Sequence, residues 1–184
     1  LTVANRDIYL DNSLRLADCY FLNRQYEKAI AEYQVKISKD YKASDYAIFQ
    51  QGMLYGLVGK QDAKINTLRK IQKDFSASVY ADDALFQIGR EYMEMENYSM
   101  AENMFKMLIS HHDYSNYLAP SYLKLGLIFY NQSEDDVAMS YYKTVVERFP
   151  KTGYSNEALS FIEIIYLNVR IKFPWENWQI WSEL

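Results

Sequence analysis

Residues 85–105 read LFQIGREYMEMENYSMAENMF, and residues 122–142 read YLKLGLIFYNQSEDDVAMSYY. Laid over each other at an offset of 37 residues, Leu85, Ile88, Gly89 and Tyr92 meet Tyr122, Leu125, Gly126 and Phe129, while Ala101 and Phe105 meet Ala138 and Tyr142. Self-similarity at a fixed period marks a repeat array. Within each copy the first four positions fall at i, i+3, i+4, i+7, one stripe of an α-helix. A polar break follows (Glu94 to Asn97, Asn131 to Ser133), then a second helix carrying Ala and an aromatic four residues later. Gly and Ala are small where two antiparallel helices must approach closely. Such a hairpin cannot bury its faces alone and needs neighbours on either side.

Working outward, the same pattern recurs more faintly. Ser13, Leu16, Ala17 and Tyr20, followed by Ala29 and Tyr33, make a first hairpin over about 7–39. Ile48, Gln51, Gly52 and Tyr55 open a second over about 44–74, broken by Gly56-Leu57-Val58-Gly59-Lys60. Its second helix departs from the pattern: Lys64 holds the small slot and Leu68 the aromatic one, which predicts looser or slightly rotated packing. The third and fourth hairpins run over about 79–112 and 116–149, and Ser133-Glu134-Asp135-Asp136 has the form of a capping box. A terminal helix over 154–172 begins a fifth copy, with Leu159, Ile162 and Tyr166 on the stripe and Glu163 in place of the small residue. A tail, 173–184, holds Pro174 and then Trp175, Trp178 and Trp181. The expected fold class is all-α: a right-handed superhelical solenoid of antiparallel helix hairpins, read as one domain over 1–184.

At these residues the chain resembles the tetratricopeptide repeat (TPR) family. It departs from that family's usual 34-residue period by a three-residue surplus in the connections after Pro150 and at Asp113. The joints, Asp74-Phe75-x-x-Ser78-x-Tyr80-Ala81-Asp82 and Arg148-Phe149-Pro150, are similar to those of bacterial cell-envelope members such as the outer-membrane assembly lipoprotein and the Tol–Pal-associated periplasmic protein. The resemblance implies a non-catalytic protein–protein interaction scaffold in an envelope assembly, periplasmic or outer-membrane-associated, with the cytoplasm left open. It also leaves open a chaperone-like receptor for unfolded outer-membrane proteins, and a purely structural repeat segment of a longer protein.

Composition narrows the classes. A chain of 184 residues with net charge −4 and no Lys/Arg stripe is a poor match for nucleic acid. Its most apolar run, 158–173, contains Glu163, Asn168 and Arg170 and does not read as a membrane span. Leu1 is not a natural start, consistent with removal of an upstream segment. The single cysteine, Cys19, rules out an internal disulfide framework and is expected to pack as a small hydrophobe. His111-His112-Asp113 lacks a third ligand at metal spacing and reads as a helix C-terminus suited to imidazole. No catalytic set, metal site or cofactor is expected.

The remaining signal is a second stripe on each first helix, away from the hairpin partner: Leu14, Asp18, Phe21; Phe49, Met53, Gly56; Phe86, Arg90, Met93; Leu123, Leu127, Tyr130. The TPR resemblance places these sets on a concave wall. A wall meeting only water would be polar, and this one is largely aromatic and aliphatic. Phe49, Met53, Phe86, Arg90, Met93, Leu123, Leu127 and Tyr130 are therefore the candidate groove for an extended or helical peptide. The competing explanation is that some of them, Leu14 and Leu123 above all, complete contacts between adjacent copies. The terminal helix is apolar on more than one stripe. A terminal repeat should present a polar outer face, so either the tryptophan tail covers it, or another chain does (including self-association), or the natural protein continues.

Overall fold

The computed structural model of the chain describes residues 3–172. Among the described residues there are nine α-helices and no strand: α1 (Val3–Leu22), α2 (Tyr26–Lys39), α3 (Asp45–Leu57), α4 (Gln61–Asp74), α5 (Ala81–Glu94), α6 (Tyr98–His111), α7 (Leu118–Asn131), α8 (Asp135–Arg148) and α9 (Gly153–Lys172). This is the all-α hairpin class expected from the period. The first helix starts at Val3, four residues before the start of about residue 7 expected for the first hairpin. The chain forms two compact units, Leu1–Met104 and Phe105–Leu184.

Every hairpin turn closes in the same way. The residue in the left-handed region is Arg24 (φ 57°), Gly59 (φ 73°), Glu96 (φ 57°) or Ser133 (φ 62°). The following N–H groups, of Gln25, Lys60, Asn97 and Glu134, donate to the carbonyls of Tyr20, Tyr55, Tyr92 and Phe129 at 2.8–2.9 Å. The left-handed residues themselves donate to Phe21, Gly56, Met93 and Tyr130. This paired bonding, six-to-one outside five-to-two, satisfies carbonyls that a helix end otherwise leaves unpaired. Only Gly59 is a glycine here, so the other three copies carry a Cβ in a conformation that disfavours it. The geometry also corrects the reading of Ser133: it closes α7 rather than capping α8. The N-cap of α8 is Glu134, which makes no side-chain capping bond.

The three residues beyond a 34-residue period are taken up by a hydrogen-bonded joint between hairpins. Ser78, Ser115 and Thr152, each 37 apart, accept at their carbonyls from Ala81, Leu118 and Ser155 and donate their N–H to Phe75, His112 and Phe149. Their side-chain oxygens accept N–H bonds from Tyr80 (3.2 Å), Tyr117 (3.0 Å) and Ser155 (3.3 Å). The Ser78 hydroxyl also donates to Asp45 of the preceding hairpin at 2.6 Å, tying the joint to the start of α3.

In the first unit, Ala17, Ala29 and Tyr33 are buried between α1 and α2, and Ile48, Leu68 and Ile71 between α3 and α4. A Cβ at Gly52 would lie 2.6 Å from Leu68, which is why that position is small. The second hairpin is not loose, contrary to expectation. Leu68 is fully buried, and Lys64 is buried with its ammonium donating to Glu91 of α5. The long side chain thus spans from the small slot to the next copy. In the second unit, Leu123, Phe129, Ala138, Tyr142, Val145, Ala158 and Ile165 form one buried cluster. A Cβ at Gly126 would sit 2.5 Å from the Tyr142 ring. Leu16 and Leu159, placed on packing stripes by the sequence, are exposed. Cys19 is exposed as well: two residues on from the buried Ala17, it lies about 200° around the helix.

Candidate functional site

In the first unit the predicted wall is organised by one carboxylate. Asp18 of α1 accepts a hydrogen bond from the Tyr33 hydroxyl of α2 and another, at 2.8 Å, from the Tyr46 hydroxyl of α3. The rings continue the connection: Tyr33 meets Tyr46 edge-on at 6.2 Å, Tyr46 lies 5.9 Å from Tyr80, and Phe49 stacks on Tyr80 at 5.1 Å and 18°. Since Tyr80 stands at the joint before α5, this column of aromatic side chains links three successive copies. Burial, and then the bond to Asp18, push the Tyr33 phenol well above its ordinary range; the same two causes raise Tyr46 to about 12. Both hydroxyls therefore stay protonated near neutrality and act as donors to the carboxylate.

The candidate groove residues divide by accessibility. On α3, Phe49 and Met53 are half-buried, with one face of the Phe49 ring taken by Tyr80. On α5, Met93 is half-buried and Arg90 is exposed, its guanidinium 3.7 Å from the exposed Glu94. An ion pair this open to water holds the arginine only weakly. Phe86 is only 7% exposed, so its ring belongs to the interior and offers a ligand little surface. In the second unit Leu123 is likewise interior, as part of the buried cluster. Leu127 and Tyr130 are half-buried, and the Tyr130 ring lies 6.0 Å from Phe161 of α9. Position by position, the stripe thus mixes inter-copy packing with accessible apolar surface.

Tyr142 is the fourth copy's counterpart of Tyr33, as Leu127 is of Asp18. The Tyr142 ring is fully buried and stacks on Phe161 at 5.1 Å and 6°. Among the described residues its hydroxyl has no hydrogen-bond partner, since leucine stands where the first copy has a carboxylate. Burial raises its pKa too.

Other polar groups have structural roles. Arg69 donates to the Tyr92 hydroxyl at 2.6 Å and lies over its ring; Arg148 does the same with Tyr122 at 2.8 Å. The exposed His111 has its Nδ1 2.9 Å from the Met107 carbonyl oxygen, at the end of α6. Among the described residues no group of three His, Cys, Asp or Glu side chains could hold a metal, and no helix is long and apolar enough to cross a membrane. A shallow cleft of about 210 Å³ is lined by Leu10, Asp11, Leu14, Lys36 and Asp40, with Lys36 and Asp40 paired at 2.6 Å. Sequence reading overlooked the aromatic column. Its one available signal was tyrosine at 80, 117 and 154, a 37-residue spacing outside the packing stripes.

Family models described as tetratricopeptide repeat match residues 11–39, 82–110 and 121–152. Solved structures with the same fold include a MamA protein (18% identity, TM-score 0.65, covering 91% of this chain and 95% of that one). Another is YrrB, described as a TPR protein with an unusual peptide-binding site (16% identity, TM-score 0.64, 86% and 76%). A third is PilF of Pseudomonas aeruginosa (15% identity, TM-score 0.67, 92% and 73%). At these identities the likeness is one of fold. No curated protein sequence matches the chain.

Proposed function

The chain belongs to the tetratricopeptide repeat family, and from that premise we propose that it is a non-catalytic scaffold that docks an extended or helical peptide segment of another protein, in a bacterial envelope assembly. The observation that carries the docking surface is the accessible part of the wall in the first unit: Phe49 and Met53 one turn apart on α3, Met93 and the exposed Arg90 on α5. Apolar anchors beside a few polar groups are a recurrent means of holding a peptide. Methionine adapts to differing ligand shapes, and the Arg90 guanidinium would orient a carboxylate or a backbone carbonyl. Phe86, being interior, supports this wall rather than touching the ligand, and Leu123, interior to the second unit, is set aside as a contact. Peptide binding by YrrB, which its description records, is compatible with such a use of the fold.

The test is calorimetry with two peptide sets, extended apolar segments and amphipathic helices bearing acidic residues, against the parent chain and the variants Met53→Glu and Arg90→Glu. Saturable binding weakened tenfold or more by both variants supports the proposal. Binding unaffected by either would move the contact surface away from α3 and α5. The envelope assignment rests on the joint residues, and fractionation of source cells that recovers the protein from the cytoplasm would remove it.

A further inference from the structure

One position of the wall in the first unit carries a charge that packing leaves half used. Asp18, Met53 and Arg90 share a register on α1, α3 and α5, one residue after the small slots Ala17, Gly52 and Gly89. The Tyr33 and Tyr46 hydroxyls both donate to Oδ1 of Asp18, the second at 2.8 Å. Its other oxygen, Oδ2, has no hydrogen-bond partner among the described residues. Asp18 is half-buried, and the unpaired side-chain oxygens sealed from water among those residues are the hydroxyls of Ser121 and Tyr142, so Oδ2 meets solvent. Arg15, one turn earlier on α1, is paired with Asp11 at 2.9 Å instead. Phe21, one turn later, is exposed, and Phe49, one turn after Tyr46 on α3, is half-buried.

We propose that Asp18 is a subsite of the peptide groove and takes a lysine side chain of the docked segment. This subsite rests on the docking surface proposed above and adds which residue the ligand must carry, and where. The two phenols stay protonated near neutrality, so they fix the rotation of the carboxylate without removing its charge. A carboxylate already held in place loses little freedom when a cation arrives. Oδ1 accepts two bonds, which closes the two-oxygen fork that favours arginine. Oδ2 remains as a single acceptor, suited to one bond from a compact ammonium. The four-carbon stem of lysine would run along the aromatic side chains at 21 and 49, with its head in reach of water and of an aromatic face. The opposite sign at Arg90 then gives the groove a direction. A ligand running from α1 to α5 meets a carboxylate, the Met53 thioether and a guanidinium in that order, so its lysine lies over α1 and an acidic residue over α5.

The probes are N-acetylated peptides of the extended apolar set, made with lysine, arginine or glutamine at one end and glutamate at the other, and the same peptides with the ends exchanged. Calorimetry compares the parent chain with Asp18→Asn and Met53→Glu. Asparagine keeps an oxygen for both tyrosines while removing the charge, and the urea midpoint checks that this variant is folded. On the parent, lysine peptides should bind about tenfold more tightly than glutamine peptides, the effect of one charge-assisted hydrogen bond. The advantage should hold for one order of the ends, should not be exceeded by arginine, and should vanish on Asp18→Asn. The lysine–glutamine comparison uses the unaltered chain and so decides the matter even if Asp18→Asn fails to fold. Peptides that bind the parent and are lost with Met53→Glu, yet show no preference for lysine, prefer arginine, or keep the lysine preference on Asp18→Asn, would overturn the subsite and leave the docking surface standing. No binding by any peptide, or binding indifferent to Met53→Glu, would overturn both.

Discussion

Removing the same hydroxyl from two equivalent tyrosines should have opposite effects. Tyr33 donates to the Asp18 carboxylate, whereas Tyr142, in the corresponding slot of the fourth copy, has no acceptor among the described residues. Both rings are fully buried and reside in the second helix of their hairpins, so Tyr→Phe leaves the packing of each nearly intact. A hydrogen bond to a charged group contributes about 1.5–3 kcal/mol, so Tyr33→Phe should lower stability by about 2 kcal/mol. A buried hydroxyl without a partner carries its desolvation cost uncompensated, so Tyr142→Phe should be neutral or raise stability by about 1 kcal/mol. The two variants would then differ by about 3 kcal/mol, well resolved by equilibrium urea unfolding with linear extrapolation. pH supplies a second readout. The folded-state pKa of Tyr33 and Tyr46 lies above the phenol's ordinary 10.0, with Tyr46 raised to about 12. The unfolded chain therefore loses these protons first as pH rises. The associated stability is complete below pH 10 and declines as pH climbs from 10 toward and through 12. The parent's advantage over Tyr33→Phe should shrink across that interval. Equal losses for Tyr33→Phe and Tyr142→Phe at neutral pH would refute the role assigned to Asp18.

The hairpin turns provide a second check: Glu96→Gly and Ser133→Gly should each stabilise by up to about 1 kcal/mol by relieving a left-handed Cβ, while Gly59→Ala should destabilise, all read by the urea midpoint. Gly126→Leu should cost about 1–3 kcal/mol or more, since its Cβ alone would meet the Tyr142 ring at 2.5 Å. Gly56→Ala should cost about 1 kcal/mol or more, because the new methyl would sit 2.9 Å from the Lys64 Cδ and press on a chain committed to Glu91. Glu91→Leu alone strands a buried ammonium and should cost about 3–5 kcal/mol. The double variant Lys64→Met, Glu91→Leu should recover most of that loss, as a double-mutant cycle would show.

What the sequence determined by itself is the part of the protein governed by local spacing. Gly89, Gly126, Ala101 and Ala138, set in a 3.6-residue apolar rhythm and repeated after 37 residues, define helices, hairpins and their order, because helix faces follow from neighbours along the chain. The second stripe of each first helix, the candidate groove, is defined by the same spacing as a set of positions, but the environment of each side chain in it is not. Phe86 and Leu123 have the same periodic signature as Met53 and Leu127, yet two are interior and two half-exposed. That distinction depends on how far neighbouring copies close over each helix, which no spacing within one helix records. The same reason hid the Asp18–Tyr33–Tyr46 cluster, the Phe49–Tyr80 stack and the Lys64–Glu91 pair. Each joins side chains from separate helices or from a helix and a joint, 13 to 31 residues apart in the sequence, whose meeting is set by the packing of helices within a hairpin or by the docking of one hairpin on the next. Lysine in a small slot looked like a packing defect until the fold brought a carboxylate to its ammonium. Cysteine beside a buried alanine looked buried until the helix rotation turned it to water.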